Sequence, residues 1–142
     1  MISDVWRSWD QFGSIDAFNP NLNRSFLLDG SAATGLGAKR QCDFKDGKNH
    51  IREEIVAYRP NEMMKVDIYD GTVPLKSATA QINLISLSGN RTNVTFTIEF
   101  TPKFGLFGKL LIPLMKPQFR KDISGCRLNG PIRSKTWQDF SC

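Results

Sequence analysis

An antiparallel hairpin can be traced through residues 39–55, which read Lys39-Arg-Gln-Cys-Asp-Phe-Lys-Asp-Gly-Lys-Asn-His-Ile-Arg-Glu-Glu-Ile55. The dipeptide Asp46-Gly47 is typical of a two-residue type I′ turn. A turn at this point pairs Cys42 with Ile51, Arg40 with Glu53, and Lys39 with Glu54. Because Cys42 and Ile51 make one face apolar, that face is predicted to point inward. Arg40 and Glu53 then lie opposite each other on the same inward face.

Alternating apolar residues continue beyond this hairpin, so that residues 36–101 predict about five strands joined by tight turns. Met64, Val66 and Ile68 carry the inward face of one of them. A second hairpin is predicted around the three-residue loop Gly89-Asn90-Arg91. Its inward pairs are expected to be Leu84 with Phe96, Ile82 with Ile98, and Ala80 with Phe100.

Helical spacing replaces the alternation after the strands, in residues 104–120. The apolar stripe there includes Phe107, Leu111 and Met115, and it predicts a long helix. Two short helical segments are predicted before the strands, through Phe12 and over residues 14–20. The fold class is therefore expected to be α+β, with a curved antiparallel sheet wrapped around a long C-terminal helix in a helix-grip arrangement. Such a sheet and helix enclose a cavity instead of a solid core.

Composition narrows the functional classes. The chain has 142 residues, which suits one domain. Its net charge of +5 is interpreted as solvated surface, because no nucleic-acid-binding motif accompanies the basic residues. Three cysteines at irregular spacing and one histidine predict no metal site, and no cofactor is expected. With no leader-like segment and no apolar run of about 18 residues, the expected location is the cytoplasm.

Several segments resemble a known family. They are the helix pair Val5-Trp6-Arg-Ser-Trp9-Asp-Gln-Phe12-Gly13-Ser-Ile15-Asp-Ala-Phe18-Asn19-Pro20, the strand start Gly35-Leu-Gly37-Ala-Lys-Arg40, the strand Glu53-Glu-Ile55-Val-Ala-Tyr58, and the helix start Phe104-Gly-Leu-Phe-Gly-Lys-Leu-Leu111 with Met115-Lys-Pro-Gln-Phe119. These segments are similar to the START-like (SRPBCC) superfamily, which includes polyketide cyclase/dehydrase-like and Bet v 1-like proteins. The resemblance implies a strand, two small helices, six strands and a long closing helix.

The two ends of the chain depart from that pattern. Only Met1-Ile2 precede the first helix, where the family has a strand, and residues 125–142 lose the helical pattern. We interpret residues 1–124 as one START-like domain and 125–142 as an atypical tail. The hypothesis is a truncated or mis-started gene product with an altered C-terminus. The sheet edge that the missing strand leaves open invites dimerisation, tail insertion or aggregation.

The expected function is binding of a hydrophobic or aromatic small molecule, lipid or polyketide-like, between the sheet and the C-terminal helix. One alternative is a polyketide cyclase/dehydrase-type enzyme with Glu53 as general base. Another is an interaction module, such as a homodimer, that pairs through the open sheet edge. No nucleic-acid partner and no transmembrane segment are expected. The candidate ligand-binding residues are Trp9, Phe18, Arg40, Cys42, Glu53, Tyr69, Phe96, Phe107, Leu111 and Met115.

Each polar or aromatic candidate also has a structural interpretation. Arg40 and Glu53 would form an ion pair without a ligand. Trp9 and Phe18 would pack beneath the helix pair. Cys42 would be a small buried hydrophobic residue. Tyr69 falls at a strand position whose parity favours the outward face.

Overall fold

Antiparallel pairing joins the strands into one curved sheet. The computed structural model describes residues 1–103, 127–129 and 137–141. Within these residues the strand order is β1-β2-β3-β4-β5-β6-β8-β7. The strands are β1 (Leu22–Leu27), β2 (Lys39–Phe44), β3 (His50–Arg59), β4 (Met63–Gly71), β5 (Leu75–Leu87), β6 (Arg91–Pro102), β7 (Arg127–Asn129) and β8 (Trp137–Ser141). Helix α1 (Ile2–Asp10) and a 3₁₀ helix (Phe12–Ala17) precede them. An α+β fold with an antiparallel sheet is confirmed, while the predicted long helix lies outside the described residues.

The register predicted for the first hairpin is confirmed. Arg40 pairs with Glu53 and Lys39 with Glu54 across β2 and β3. The type I′ turn is wrong, because Gly47 has a positive φ of 68° but Asp46 does not. The Asp46 carboxylate instead accepts hydrogen bonds from the backbone amides of Lys48 and Asn49. This side-chain acceptor stabilises a wider loop that keeps the same register.

The second hairpin has the predicted inward face but a different register. Leu84 pairs with Val94 and Ile82 with Phe96, two residues away from the predicted pairs. The loop has the predicted three residues but lies one position earlier, at 88–90, since Leu87 pairs with Arg91. Gly89 and Asn90 both have a positive φ, which suits a turn and not a strand. A shift of two residues preserves the face because side chains alternate with a period of two.

The β3–β4 pairing has two irregularities, one between Arg52 and Glu53 and one between Ile55 and Ala57. Arg52 pairs with Asp70 while Glu53 pairs with Ile68, so Tyr69 is the extra residue of a bulge. Nearby, a Cβ at Gly71 would lie 2.5 Å from the backbone oxygen of His50. Only glycine allows the two strands to approach this closely. Bulges increase the local twist, and this one lies opposite Glu53, whose side chain points to the concave face.

The two N-terminal helices cover the concave face. Trp6 of α1 and Phe12 of the 3₁₀ helix are buried, with Phe12 only 1% exposed. They belong to a core cluster that also contains Ala38, Ile55, Met64, Val66, Ile82, Leu84 and Val94. The Tyr58 hydroxyl donates a hydrogen bond to Asp10 at 2.6 Å, and the Thr34 hydroxyl donates to the same oxygen at 2.7 Å. These contacts fix α1 to β3 and to the loop before β2.

Part of the predicted tail joins the sheet. β8 pairs antiparallel with residues 93–97 of β6, and β7 pairs with β8. Dimerisation, tail insertion and aggregation were the outcomes expected for an open sheet edge. The structure contains tail insertion, along these five residues of β6. The boundary at residue 124 stays a prediction, although the described strands on both sides of it share one sheet.

Candidate functional site: a cavity on the concave face

A cavity of about 140 Å³ lies against the concave face of the sheet. Its lining residues come from strands β1 to β6, from α1 and the 3₁₀ helix, and from the segment that follows them. They are Trp9, Ile15, Asn19, Asn21, Leu22, Arg40, Cys42, Phe44, Ile51, Glu53, Met64, Val66, Ile68, Ala80, Ile82, Phe96 and Ile98. Most of these side chains are apolar, and Arg40 and Glu53 bring the two charges. For scale, an apolar cavity of about 150 Å³ in another protein binds one benzene molecule.

The two charges form a buried ion pair. Arg40 Nε donates a hydrogen bond to Glu53 Oε2 at 2.5 Å, and each side chain is only 7% exposed. Arg40 Nη1 donates to the backbone oxygen of Phe12 at 2.8 Å, and the guanidinium carbon lies 4.1 Å from the centre of the Phe12 ring. Burial lowers the pKa of Arg40, but the charge of Glu53, the Cys42 side chain and the hydrogen bond to Glu53 together outweigh burial and leave this pKa above its ordinary value. Arg40 is therefore a fixed cation, held by β3 and the 3₁₀ helix together.

Cys42 lies between this pair and β1. Its thiol donates to Glu53 Oε2 at 3.4 Å and lies 3.6 Å from the Ser25 hydroxyl. Burial, followed by the negative charge of Glu53, raises the pKa of Cys42 from 9.0 to about 12. A thiol with this pKa stays protonated at neutral pH and is not a nucleophile there. The geometry thus supports Cys42 as a hydrogen-bond donor in the wall of the cavity.

Three aromatic rings meet at the side of the cavity nearest α1. Trp9 stacks on Phe96 with ring centres 5.8 Å apart, and contacts Phe18 edge-on at 6.1 Å. Trp9 and Phe96 line the cavity, whereas Phe18 contacts Trp9 and is not part of the cavity lining. Trp9 therefore packs against two aromatic rings and is also placed to contact a ligand in the cavity.

Five of the ten predicted site residues line this one cavity: Trp9, Arg40, Cys42, Glu53 and Phe96. Tyr69 does not, because the bulge and its parity place it on the outer face, 44% exposed, with the Lys39 ammonium 5.6 Å from its ring centre. Phe107, Leu111 and Met115 lie outside the described residues. Their proposed role in ligand contact stays a prediction.

The site residues predicted from the sequence leave out several contributors, among them Phe44 and Phe12. Phe44 lines the cavity two residues after Cys42, and strand parity alone would have found it. The sequence predicts Phe12 as the end of the first helix, but its backbone oxygen and ring also hold Arg40. No local pattern reports that contact, since it joins residues 28 positions apart.

Among residues 1–103, 127–129 and 137–141, no group of three or more His, Cys, Asp or Glu side chains is placed to hold a metal ion. The helices in that part of the chain are too short or too polar to cross a membrane.

The family model described as polyketide cyclase / dehydrase and lipid transport matches residues 2–128. The chain belongs to this family. Comparison with the curated proteins finds none that matches it.

Solved structures share the fold. A Thermobifida fusca protein aligns with a TM-score of 0.63 at 20% identity, covering 81% of this chain and 75% of the other. The protein XoxI from Bacillus cereus gives 0.58 at 19% identity, covering 78% and 80%. Norcoclaurine synthase from Thalictrum flavum gives 0.59 at 15% identity, covering 80% and 69%. At these identities the likeness shows the fold alone, and the antiparallel sheet with its N-terminal helices is consistent with the Bet v 1-like fold.

Proposed function

We propose that this protein binds one hydrophobic or aromatic small molecule against the concave face of the sheet. The observation that carries the proposal is an apolar wall with a single buried ion pair, Arg40 with Glu53, set into it. Apolar burial would supply the affinity, at about 25 cal/mol per Å² removed from water. The ion pair would orient the ligand, as a few fixed polar groups do in most small-molecule sites. Membership of a family that covers lipid transport and polyketide cyclisation supports this class of ligand.

Native mass spectrometry of the protein purified from its own host tests the proposal, followed by denaturing identification of any released compound. We expect about one apolar molecule per chain. Ala80→Leu narrows the cavity and should abolish retention of that molecule, while Ser77→Leu adds the same side chain at an exposed position of the same strand and should not. A protein that carries no compound, or whose compound is retained by Ala80→Leu, contradicts binding in this cavity.

A second candidate is an enzyme of the cyclase/dehydrase type with Glu53 as general base. It is favoured by one detail: Oε2 of Glu53 is held by Arg40 and Cys42, but Oε1 has no hydrogen-bond partner among the described residues. That oxygen could take a proton from a carbon next to a carbonyl group. Glu53→Gln would then lower turnover of the identified compound by orders of magnitude with its binding retained. A carrier would show altered affinity and no turnover in either form.

The homodimer through the edge of β6 stays a prediction. Residues 93–97 of that edge already pair with β8 of the same chain. Light scattering of the purified chain measures its mass directly. A dimer that dissociates when charged residues replace Thr95 and Thr97 would support edge pairing.

A further inference from the structure

The ion pair in the cavity wall leaves one acceptor atom open. Glu53 Oε1 has no hydrogen-bond partner among the described residues, and an ionised carboxylate only accepts hydrogen bonds. Arg40 donates through Nε to Glu53 and through Nη1 to the Phe12 carbonyl, and one face of its guanidinium is covered by the Phe12 ring, while Nη2 has no hydrogen-bond partner among the described residues. The Cys42 thiol donates to Glu53 as well. The acceptor that the ion pair leaves to a ligand is therefore the carboxylate oxygen Oε1, next to the remaining N–H groups of Arg40.

A charged ligand fits this arrangement poorly. Arg40 is balanced by Glu53 at 2.5 Å, so the pair presents no net positive charge to an incoming anion. A ligand carboxylate placed at the pair would also face the Glu53 carboxylate, and burial strengthens that repulsion because the local dielectric is low. A hydroxyl or N–H group, in contrast, would donate to Oε1, and hydrogen bonds to charged acceptors are the stronger kind.

The volume of the cavity limits the size of the apolar group that carries this hydrogen-bond donor. About 140 Å³ of apolar cavity, walled in part by Trp9 and Phe96, matches a single aromatic ring. We infer that the ligand is a neutral molecule that places one ring-sized apolar group in the cavity and donates one hydrogen bond, of the phenol type, to Glu53. This inference rests on the proposed binding function and names the class of ligand for the same cavity.

Three probes of equal ring size separate the possibilities: benzene, phenol and benzoate, each titrated into the full chain at pH 7 and followed by ¹H–¹⁵N NMR. Phenol should bind about tenfold more tightly than benzene, the ratio expected for one hydrogen bond to a charged acceptor. Benzoate should bind more weakly than benzene. If benzoate binds most tightly, or phenol binds no better than benzene, the inference is wrong while binding in the cavity stands. If none of the three shifts the resonances of cavity residues, the proposed function fails and the inference fails with it.

Matched variants locate the donor contact. Glu53→Gln loses the charge but keeps a carbonyl acceptor, so it should reduce the preference for phenol over benzene. Glu54→Gln, one residue along β3 and on the outer face, should leave the preference unchanged. Because Glu53→Gln leaves Arg40 without its partner, it can fail to fold. The double variant Arg40→Met/Glu53→Leu removes both charges and, with its fold checked by circular dichroism, should lose the same preference. A preference for phenol that persists in the folded double variant would overturn the assignment to Glu53.

Discussion

Two ion pairs on the same hairpin show how differently the two faces of this sheet behave. Lys39–Glu54 and Arg40–Glu53 join neighbouring residues of β2 to neighbouring residues of β3. On the outer face, Lys39 and Glu54 are 45% and 34% exposed and their charged atoms lie 3.5 Å apart. On the inner face, Arg40 and Glu53 are 7% exposed and 2.5 Å apart. Two ion pairs of similar chemistry, one residue apart along each strand, thus lie on opposite faces, one solvated and one buried.

The energetic consequence follows from desolvation. An exposed pair contributes little because water screens both charges. A buried pair has lost its water, so each member depends on the other, and removal of one leaves an uncompensated charge in a low-dielectric site. The comparison therefore predicts that equivalent substitutions on the two faces differ in their effect on stability.

Arg40→Met tests the largest expected difference. It leaves Glu53 buried without its cation and should lower the free energy of unfolding by about 3–5 kcal/mol. Lys39→Met, on the outer face, should change it by less than about 1 kcal/mol. Urea denaturation of the three proteins measures both values. Similar losses in the two variants would mean that the inner pair is hydrated.

Ile82→Ala and Ile85→Ala extend the comparison to apolar residues of β5. Ile82 is 3% exposed and lines the cavity, whereas Ile85 is 56% exposed. Truncation of Ile82 should lower the free energy of unfolding by about 2–5 kcal/mol, while truncation of an exposed side chain should cost less than about 0.5 kcal/mol. The same urea titration gives both numbers. Equal costs would show that the concave face is not the core of the sheet.

Alkaline pH probes Cys42 on the inner face. Its pKa is raised in the folded protein from 9.0 to about 12, so the folded state keeps a proton that the unfolded state loses. The stability that the buried neutral thiol contributes is present below pH 9 and is lost as the pH rises toward 12. At pH 10 this lowers the free energy of unfolding by about 1.4 kcal/mol. Between pH 8 and pH 10, the free energy of unfolding should therefore fall more steeply for the wild type than for Cys42→Ala. Parallel pH profiles would contradict burial of this thiol.

Two tyrosines give the smallest expected effect. Tyr58 donates to Asp10 at 2.6 Å and contacts Trp6 edge-on, whereas Tyr69 lies exposed on the outer face. Tyr58→Phe should lower the free energy of unfolding by about 1 kcal/mol through loss of the hydrogen bond. Tyr69→Phe should leave it unchanged within about 0.5 kcal/mol. Thermal unfolding followed by circular dichroism measures the change in Tm for both variants. An equal change in Tm would contradict a stabilising role for the Tyr58–Asp10 hydrogen bond.

Local pattern was sufficient for much of the site. The pairing of Arg40 with Glu53 follows from a short hairpin and strict alternation, and the observed register agrees. The second hairpin shows where pattern is insufficient. Its inward residues were identified, but the register differs by two positions because both registers bury the same face. Both registers also keep Gly89 and Asn90 in the loop, so the turn residues do not separate them.

By itself, the sequence determined the faces of the strands, the α+β class and the presence of a charged pair among apolar neighbours. Alternation and helical spacing are local properties, and they can be read from adjacent residues. Tertiary structure alone decided that the Phe12 carbonyl and ring hold Arg40, that a bulge at Tyr69 lies opposite Glu53, and that β8 lies along β6. These features join residues distant in the chain. They depend on how whole elements pack, which no local pattern specifies.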